Sequence, residues 1–370
     1  MSAVPATDRT SSPEPRPRDR GLDAAQRVAR RPGDPGLFLA LAPMDGVTDA
    51  SYRHILTEQF GGRSGVSLCV SEFVRVVDRA VQPKVLMRHC PELGGDGCTR
   101  SGVPVFVQLL GGDAEPMADS AVLAADMGAR GIDLNFGCPA KTVNRHDGGA
   151  TLLKAPARVE AVTRAVRDAV PSATPVTVKI RVGWDSAAPI VDLARAAEDG
   201  GASWLTIHGR TRAQLYRPPV DWEAIGRAAD NVRMPVVANG DLFTPASIRR
   251  CAEVSGCDSF MIGRGAMGRP DLFAATRGWR ARPLYSAEIA HLLLSYAGHM
   301  RVREMPDFNV LGRVKQWLRM GAMQREDLAG WFEAYKRLRD LDEVLSALAG
   351  HSRESTGADE FGAFGNARAH

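Results

Sequence analysis

No stretch of this 370-residue sequence approaches the roughly 18 consecutive apolar residues that a membrane-spanning helix needs, so no membrane partner is expected. No apolar run follows the early charges, which argues against a secretory signal. Arg30-Arg31 leads into Pro32-Gly33-Asp34-Pro35-Gly36, a poor twin-arginine export pattern. Cysteine is scarce and unpaired in pattern. Cys69, Cys90, Cys98, Cys138, Cys251 and Cys257 include no CxxC, so neither a zinc site nor any other metal centre is expected. A chain this long needs no disulfide staples, so the thiols read as free in a reducing cytoplasm, with Cys69 in the core. An excess of one charge is also lacking. The net charge of +4 permits a nucleic-acid partner without demanding one. No GxGxxG follows the first strand candidate, which lowers the reading of an open dinucleotide-binding sheet.

What is present is a regular alternation in a soluble, globular composition, 44% hydrophobic and 24% charged. Residues 1–36 are rich in Pro, Arg, Asp and Ser and read as a disordered tail, as do residues 351–370. Between them lie eight short apolar runs, at 37–42, 66–73, 103–109, 131–135, 175–181, 203–208, 235–239 and 258–263. Near-continuous apolar runs suit parallel strands covered on both faces. Ala-rich helical stretches separate them, such as 114–127, 157–170, 190–199 and 245–253. Eight β-then-α units predict a TIM (β/α)8 barrel over 37–283. No further strand follows. Helices are expected at 287–304, 310–323 and 328–349, forming a small α-helical C-terminal domain over 284–350. Residues 300–339 carry nine Lys/Arg against five Asp/Glu, which fits RNA backbone contact or a plain solvated surface.

In a barrel of this kind the active site forms at the C-terminal ends of the strands. Polar residues stand at all eight ends: Pro43-Met44-Asp45, Glu72 with Arg75, Gln108, Asn135 with Cys138, Lys179 with Arg181, His208 with Arg210, Asn239-Gly240-Asp241, and Gly263-Arg264-Gly265. Loops after the last two strands commonly hold phosphate, through glycine backbone N–H groups and a guanidinium fork. Lys179 and His208 would then face the flat part of a cofactor. Cys138 leaves the fourth strand pinned between Gly137 and Pro139, and Gly148-Gly149 downstream reads as the hinge of a mobile lid. An ordinary thiol has a pKa of about 8.5, which suits a proton donor better than a nucleophile. A nucleophile with His146 as a neighbouring base is the alternative.

These residues resemble one family. Ala42-Pro43-Met44-Asp45-Gly46-Val47-Thr48-Asp49, Asn135-Phe136-Gly137-Cys138-Pro139, Lys179-Ile180-Arg181, His208-Gly209-Arg210-Thr211, Ala238-Asn239-Gly240-Asp241 and Met261-Ile262-Gly263-Arg264-Gly265 look like the dihydrouridine synthases, in order and spacing. Glu72-Phe73-Val74-Arg75-Val76-Val77-Asp78, Val182-Gly183-Trp184-Asp185 and Arg313-Val314-Lys315-Gln316-Trp317-Leu318 are similar to the bacterial dihydrouridine synthase C subfamily, which acts on U16 of the tRNA D-loop. Asp45 stands where that pattern has glutamate, and Phe136 and Arg145-His146-Asp147 also depart from it.

The resemblance implies FMN as cofactor, NADPH as reductant and tRNA as partner. No obligate protein partner is expected, and the chain reads as a monomer. The resemblance implies FMN binding by Pro43, Met44, Asp45, Gln108, Lys179, His208, Asn239, Gly240, Asp241, Gly263 and Arg264. It implies tRNA contact by Arg75, Asn135, Tyr216, Arg313 and Lys315, and proton donation to C5 of a uracil by Cys138. A flipped-out base needs a new planar neighbour, which gives Tyr216 a rationale. Two rivals remain: an FMN barrel acting on a free pyrimidine, and a non-enzymatic RNA-binding barrel. Deleting residues after Leu284 is expected to spare the first and cripple a tRNA enzyme.

Overall fold

Side chains alternate across a strand, so each apolar run sends one set of residues inward and the other toward covering helices. The computed structural model describes residue 32 and residues 36–145 and 147–353. Apart from Pro32, Gly36 and residues 351–353, the two expected tails lie outside the described residues, as does His146. The strands are β1 (Phe38–Leu41), β2 (Leu68–Val70), β3 (Val74–Arg75), β4 (Val105–Leu110), β5 (Ile132–Asn135), β6 (Val176–Arg181), β7 (Leu205–His208), β8 (Val236–Asn239) and β9 (Ser259–Ile262). All pair in parallel. β1 pairs with both β9 and β2, and β2 pairs with β4, so eight strands close into a TIM barrel.

Of the run expected at 66–73 only residues 68–70 form a strand, β2; β3 lies just beyond the run, and both pair with β4. Between them Ser71 Oγ, not a strand carbonyl, accepts from Gln108 N at 3.0 Å and donates to Glu72 O at 3.0 Å. That side chain interrupts the ladder, which resumes where Val76 N reaches Leu110 O.

Around the barrel run α1 (Ala50–Gly62), α2 (Pro83–His89), α3 (Ala114–Asp126), α4 (Lys141–Asn144), α5 (Pro156–Ala169), α6 (Ile190–Asp199), α7 (Trp222–Ala229), α8 (Pro245–Ser255), α9 (Gly265–Gly268) and α10 (Leu272–Thr276). α11 (Ser286–Val302), α12 (Asp307–Gly321), α13 (Glu326–Tyr335) and α14 (Leu341–Arg353) follow.

Two apolar layers result. One lies between strands and helices and includes Cys69. The other fills the lower barrel interior with Phe38, Leu68, Phe106, Trp204 and Val237. Phe106 and Phe38 pack on Trp204 at centroid distances of 5.4 and 6.1 Å. The upper interior is polar: Gln108, Asp133, Asn135, Thr177, Thr206 and Asn239 are all buried there. Apolar below and polar above is what a barrel needs to be both packed and open to a ligand at one end.

Candidate active site

Strand register brings the candidate residues into one ring. Asn135 lies beside Lys179, Arg181 beside His208, and His208 beside Asn239. Above them opens a cavity of about 840 Å³. That is within the range of roughly 300–1,000 Å³ for small-molecule sites. Of the residues expected to bind, Pro43, Met44, Asp45, Asn135, Cys138, Lys179, His208, Tyr216, Asn239, Gly240, Asp241, Gly263 and Arg264 line it. Gln108, Arg75, Arg313 and Lys315 do not.

Cys138 is half-buried with a free thiol. Burial raises its pKa above the ordinary thiol value, and the carboxylate of Asp45 adds to this. Its backbone is held on several sides. Asn135 Oδ1 accepts from the N–H groups of Gly137 and Cys138, both at 3.0 Å. Arg181 Nε donates to Gly137 O at 2.9 Å. Asn144 Nδ2 and Ala150 N both reach Cys138 O at 3.1 Å. The Gly148-Gly149 pair is buried, and Gly149 adopts φ +60 beside the cysteine. A Cβ there would lie 3.1 Å from Cys138 O. These glycines therefore have a packing reason in addition to any hinge role.

Gln108 is wholly buried and acts from behind. Its Nε2 donates to Asp133 at 2.6 Å, and its Oε1 accepts from Asn135 Nδ2 at 2.8 Å. The second bond fixes which way the Asn135 amide faces, and so aims Oδ1 at the Cys138 loop. Burial raises the Asp133 carboxyl, opposed by the donors Thr177 and Gln108.

Lys179 Nζ lies 3.3 Å from Asn239 Oδ1, while Asn239 Nδ2 donates to Met261 O at 2.7 Å. Burial lowers the Lys179 pKa, and the nearby Arg181 guanidinium lowers it further. The same causes act on His208, which sits well below its ordinary value and is neutral at pH 7. Asp241 is gripped by Arg210 at 2.5 Å and Arg264 at 2.9 Å. Arg210, read in the sequence as a strand-end candidate, is buried behind the cavity and orients Asp241. Gly240 has φ +121, and a Cβ would come within 2.8 Å of Val220 and 2.9 Å of His208.

Six Lys/Arg line the cavity against two Asp, so an anionic ligand suits it. Tyr216 stands 55% exposed at the mouth, with the Arg181 and Arg264 guanidinium carbons 5.3 and 5.4 Å from its ring centroid. Arg313 points back at the barrel, 3.7 Å from Asp49 and 3.5 Å from Glu72. Lys315 donates to the carbonyls of Lys336 and Leu338. Arg75 is exposed on β3.

Sequence reasoning missed the wall supplied by α12 and the turn after it: Gln316, Arg319, Met320 and Met323. Their 3–4 residue spacing marks one helix face, but a periodic face does not say what it covers. It also missed Arg212, which lines the cavity and donates to Asn144 Oδ1 at 3.1 Å.

The chain is similar to several known proteins. A tRNA-dihydrouridine(16) synthase of Aquipseudomonas alcaligenes is 41% identical over 315 residues, covering 84% of this chain and 98% of that protein. The protein of the same name from Ralstonia nicotianae is 44% identical over 315 residues, covering 84% and 94%. That from Escherichia coli O157:H7 is 40% identical over 311 residues, covering 83% and 96%. The family model described as "Dihydrouridine synthase (Dus)" matches residues 40–346, which takes in all of the barrel but the first two residues of β1 and most of the helices after it, and the chain belongs to the dihydrouridine synthase family.

Proposed function

We propose that this chain is a tRNA-dihydrouridine synthase that reduces the C5–C6 double bond of a D-loop uridine, U16, with FMN as cofactor and NADPH as reductant. The observation that carries the reading is the half-buried Cys138 thiol on the wall of a basic cavity that Lys179 and Asn239 also line.

The residues present fit FMN. The Gly240 and Gly263 backbone and the Arg264 guanidinium, held by Asp241, form a donor set for phosphate. Pro43, Met44 and Asp45 line the wall after β1. Lys179 would supply positive charge and neutral His208 a hydrogen-bonding ring beside the flat part of the cofactor. Gln108 would act through Asn135. A flavin bound there would supply the hydride chemistry needed to reduce the uracil C5–C6 bond.

The chain's own contribution is position and a proton. Asn135 and Arg181 fix the loop so that Cys138 Sγ can protonate C5. Tyr216, braced by two guanidinium groups, offers a planar neighbour to a base taken out of its stack. The 284–350 helices and Arg75 would carry the tRNA backbone, with Arg313 and Lys315 freed from their present partners or acting by holding α12 in place. No helix among the described residues is long and apolar enough to cross a membrane. The reading expects a cytoplasmic monomer.

The test is Cys138→Ala. Flavin content and NADPH-driven flavin reduction are expected to persist, while dihydrouridine formation on tRNA falls roughly 10²- to 10⁴-fold, the usual worth of a general acid. Full retained activity on tRNA overturns the reading. The active thiol is the protonated form, so its contribution to activity is expected to be lost as pH rises through its elevated pKa, above about 8.5.

A further inference from the structure

The short helix α9 follows directly from the Gly263-Arg264 segment at the end of β9. A helix this short leaves most of its carbonyls without helical partners, and buried carbonyls must find donors. Ala266 and Met267 are buried, and their carbonyls are taken by side chains from distant segments. Tyr52 OH donates to Ala266 O at 3.0 Å. Trp317 Nε1 donates to Met267 O at 2.8 Å. Gln324 Nε2 donates to Arg264 O at 2.7 Å. Two of these three donors come from the C-terminal helices: Trp317 lies in α12 and Gln324 in the turn after it.

The packing between the two segments is equally close. A Cβ on Gly268 would sit 2.7 Å from the Gln324 Cβ. A Cβ on Gly321 would sit 3.1 Å from Met267 O. Trp317, itself 2% exposed, stacks edgewise on Tyr52 at 4.8 Å and on Tyr296 at 5.2 Å. The segment carrying Arg264 is therefore clamped between the barrel's α1 and the C-terminal α12.

We infer that Trp317 and Gln324 are positioning residues for the cofactor's phosphate: they hold residues 264–267, and with them Arg264, where a phosphate can be gripped. This rests on the reading that the cavity takes FMN with its phosphate at Gly263 and Arg264. The C-terminal helices are then part of the cofactor site as well as a surface for tRNA. Donor geometry explains why a tryptophan and a glutamine stand there. Phenylalanine would occupy most of the Trp317 pocket but could not satisfy Met267 O.

The experiment uses the full chain, stripped of flavin, and measures the Kd of FMN and of riboflavin by fluorescence quenching for the wild type, Trp317→Phe and Gln324→Ala. Riboflavin lacks the phosphate and serves as the internal control. Each variant loses one hydrogen bond to the segment, so FMN Kd is expected to rise roughly 3- to 10-fold while riboflavin Kd stays put. FMN Kd unchanged in both variants overturns the inference and leaves the flavin reading intact. FMN and riboflavin weakened alike also overturn it, because that marks general loosening of the fold. A wild-type chain that binds neither flavin removes the flavin reading and this inference with it. Gln324 is less buried than Trp317, so its variant keeps the test decisive if Trp317→Phe fails to fold.

Discussion

Cys138, the proposed proton donor, shows how little of a site residue's character lies in the residue itself. Its place after a strand and its ordinary thiol chemistry were legible in the sequence. Its restraint was not, because Asn135, Asn144, Ala150 and Arg181 reach it from four different segments. Gly149 belongs to the same set. Its positive φ disfavours any L side chain by roughly 1–2 kcal/mol, and an added methyl would press on Val143 and Cys138. Gly149→Ala is expected to destabilise the fold by about 1–3 kcal/mol and to lower dihydrouridine formation without changing FMN affinity. Denaturant unfolding and a flavin titration of the same preparation check both halves. A variant with normal stability and rate would show that the Cys138 loop accepts the extra methyl without cost.

At the scale of elements, seven of the eight expected barrel strands begin and end within two residues of where the sequence puts them. Their apolar runs are bounded by polar residues and their faces by period two. The misreadings occur where a side chain takes over a backbone hydrogen bond. Ser71 ends the second strand early. The single helix expected at 328–349 breaks into α13 and α14 with no proline or glycine at the break. Lys315 from α12 donates to the carbonyls of Lys336 and Leu338 there, and satisfies backbone groups that a continuous helix would have paired internally.

The contact between α1 and α11 carries a further consequence. His54 and His299 stack at 4.2 Å, and His299 Nδ1 lies 3.0 Å from Ser51 Oγ. Burial lowers both pKa values, that of His299 to about 4 with help from His54, Arg303 and Arg100. Glu58 and Glu92 oppose the shift at His54, and Glu92 at His299. Below the ordinary value of about 6.5 the unfolded chain binds protons that the fold refuses. Stability is therefore expected to fall as pH drops from about 6.5 toward 4, and to stop falling on this account below that. His299→Gln, which keeps a partner for Ser51, should make the decline in Tm shallower over that window. An identical decline in the variant would assign the acid sensitivity to other groups.

For the whole molecule, the barrel and the C-terminal helices share one core. Tyr52 packs against Tyr296 and Trp317, Asp49 accepts from Tyr296, and Arg313 reaches Asp49 and Glu72. This changes what truncation can report. Deleting residues after Leu284 would uncover Tyr52 and release the 264–267 segment. The shortened chain is expected to lose flavin binding and to aggregate, whatever its substrate, so the deletion does not separate a tRNA enzyme from one acting on a free pyrimidine. Static light scattering and flavin content of the truncated chain test this. A soluble, yellow barrel would show that the two parts are separable after all.

The sequence by itself determined the barrel, the helical segment after it, and the ring of polar residues at the strand ends. These follow from local periodicity and from where strands must stop, and both are written along the chain. Only the tertiary structure decided which of those residues face the cavity and which stand behind them. Gln108, Arg210 and Arg313 have side chains suited to binding, yet each is turned to a protein partner: Asp133 and Asn135, Asp241, and the Asp49–Glu72 pair. The physical reason is that a buried polar group must be satisfied, and its partner can lie anywhere in the chain that folding brings close.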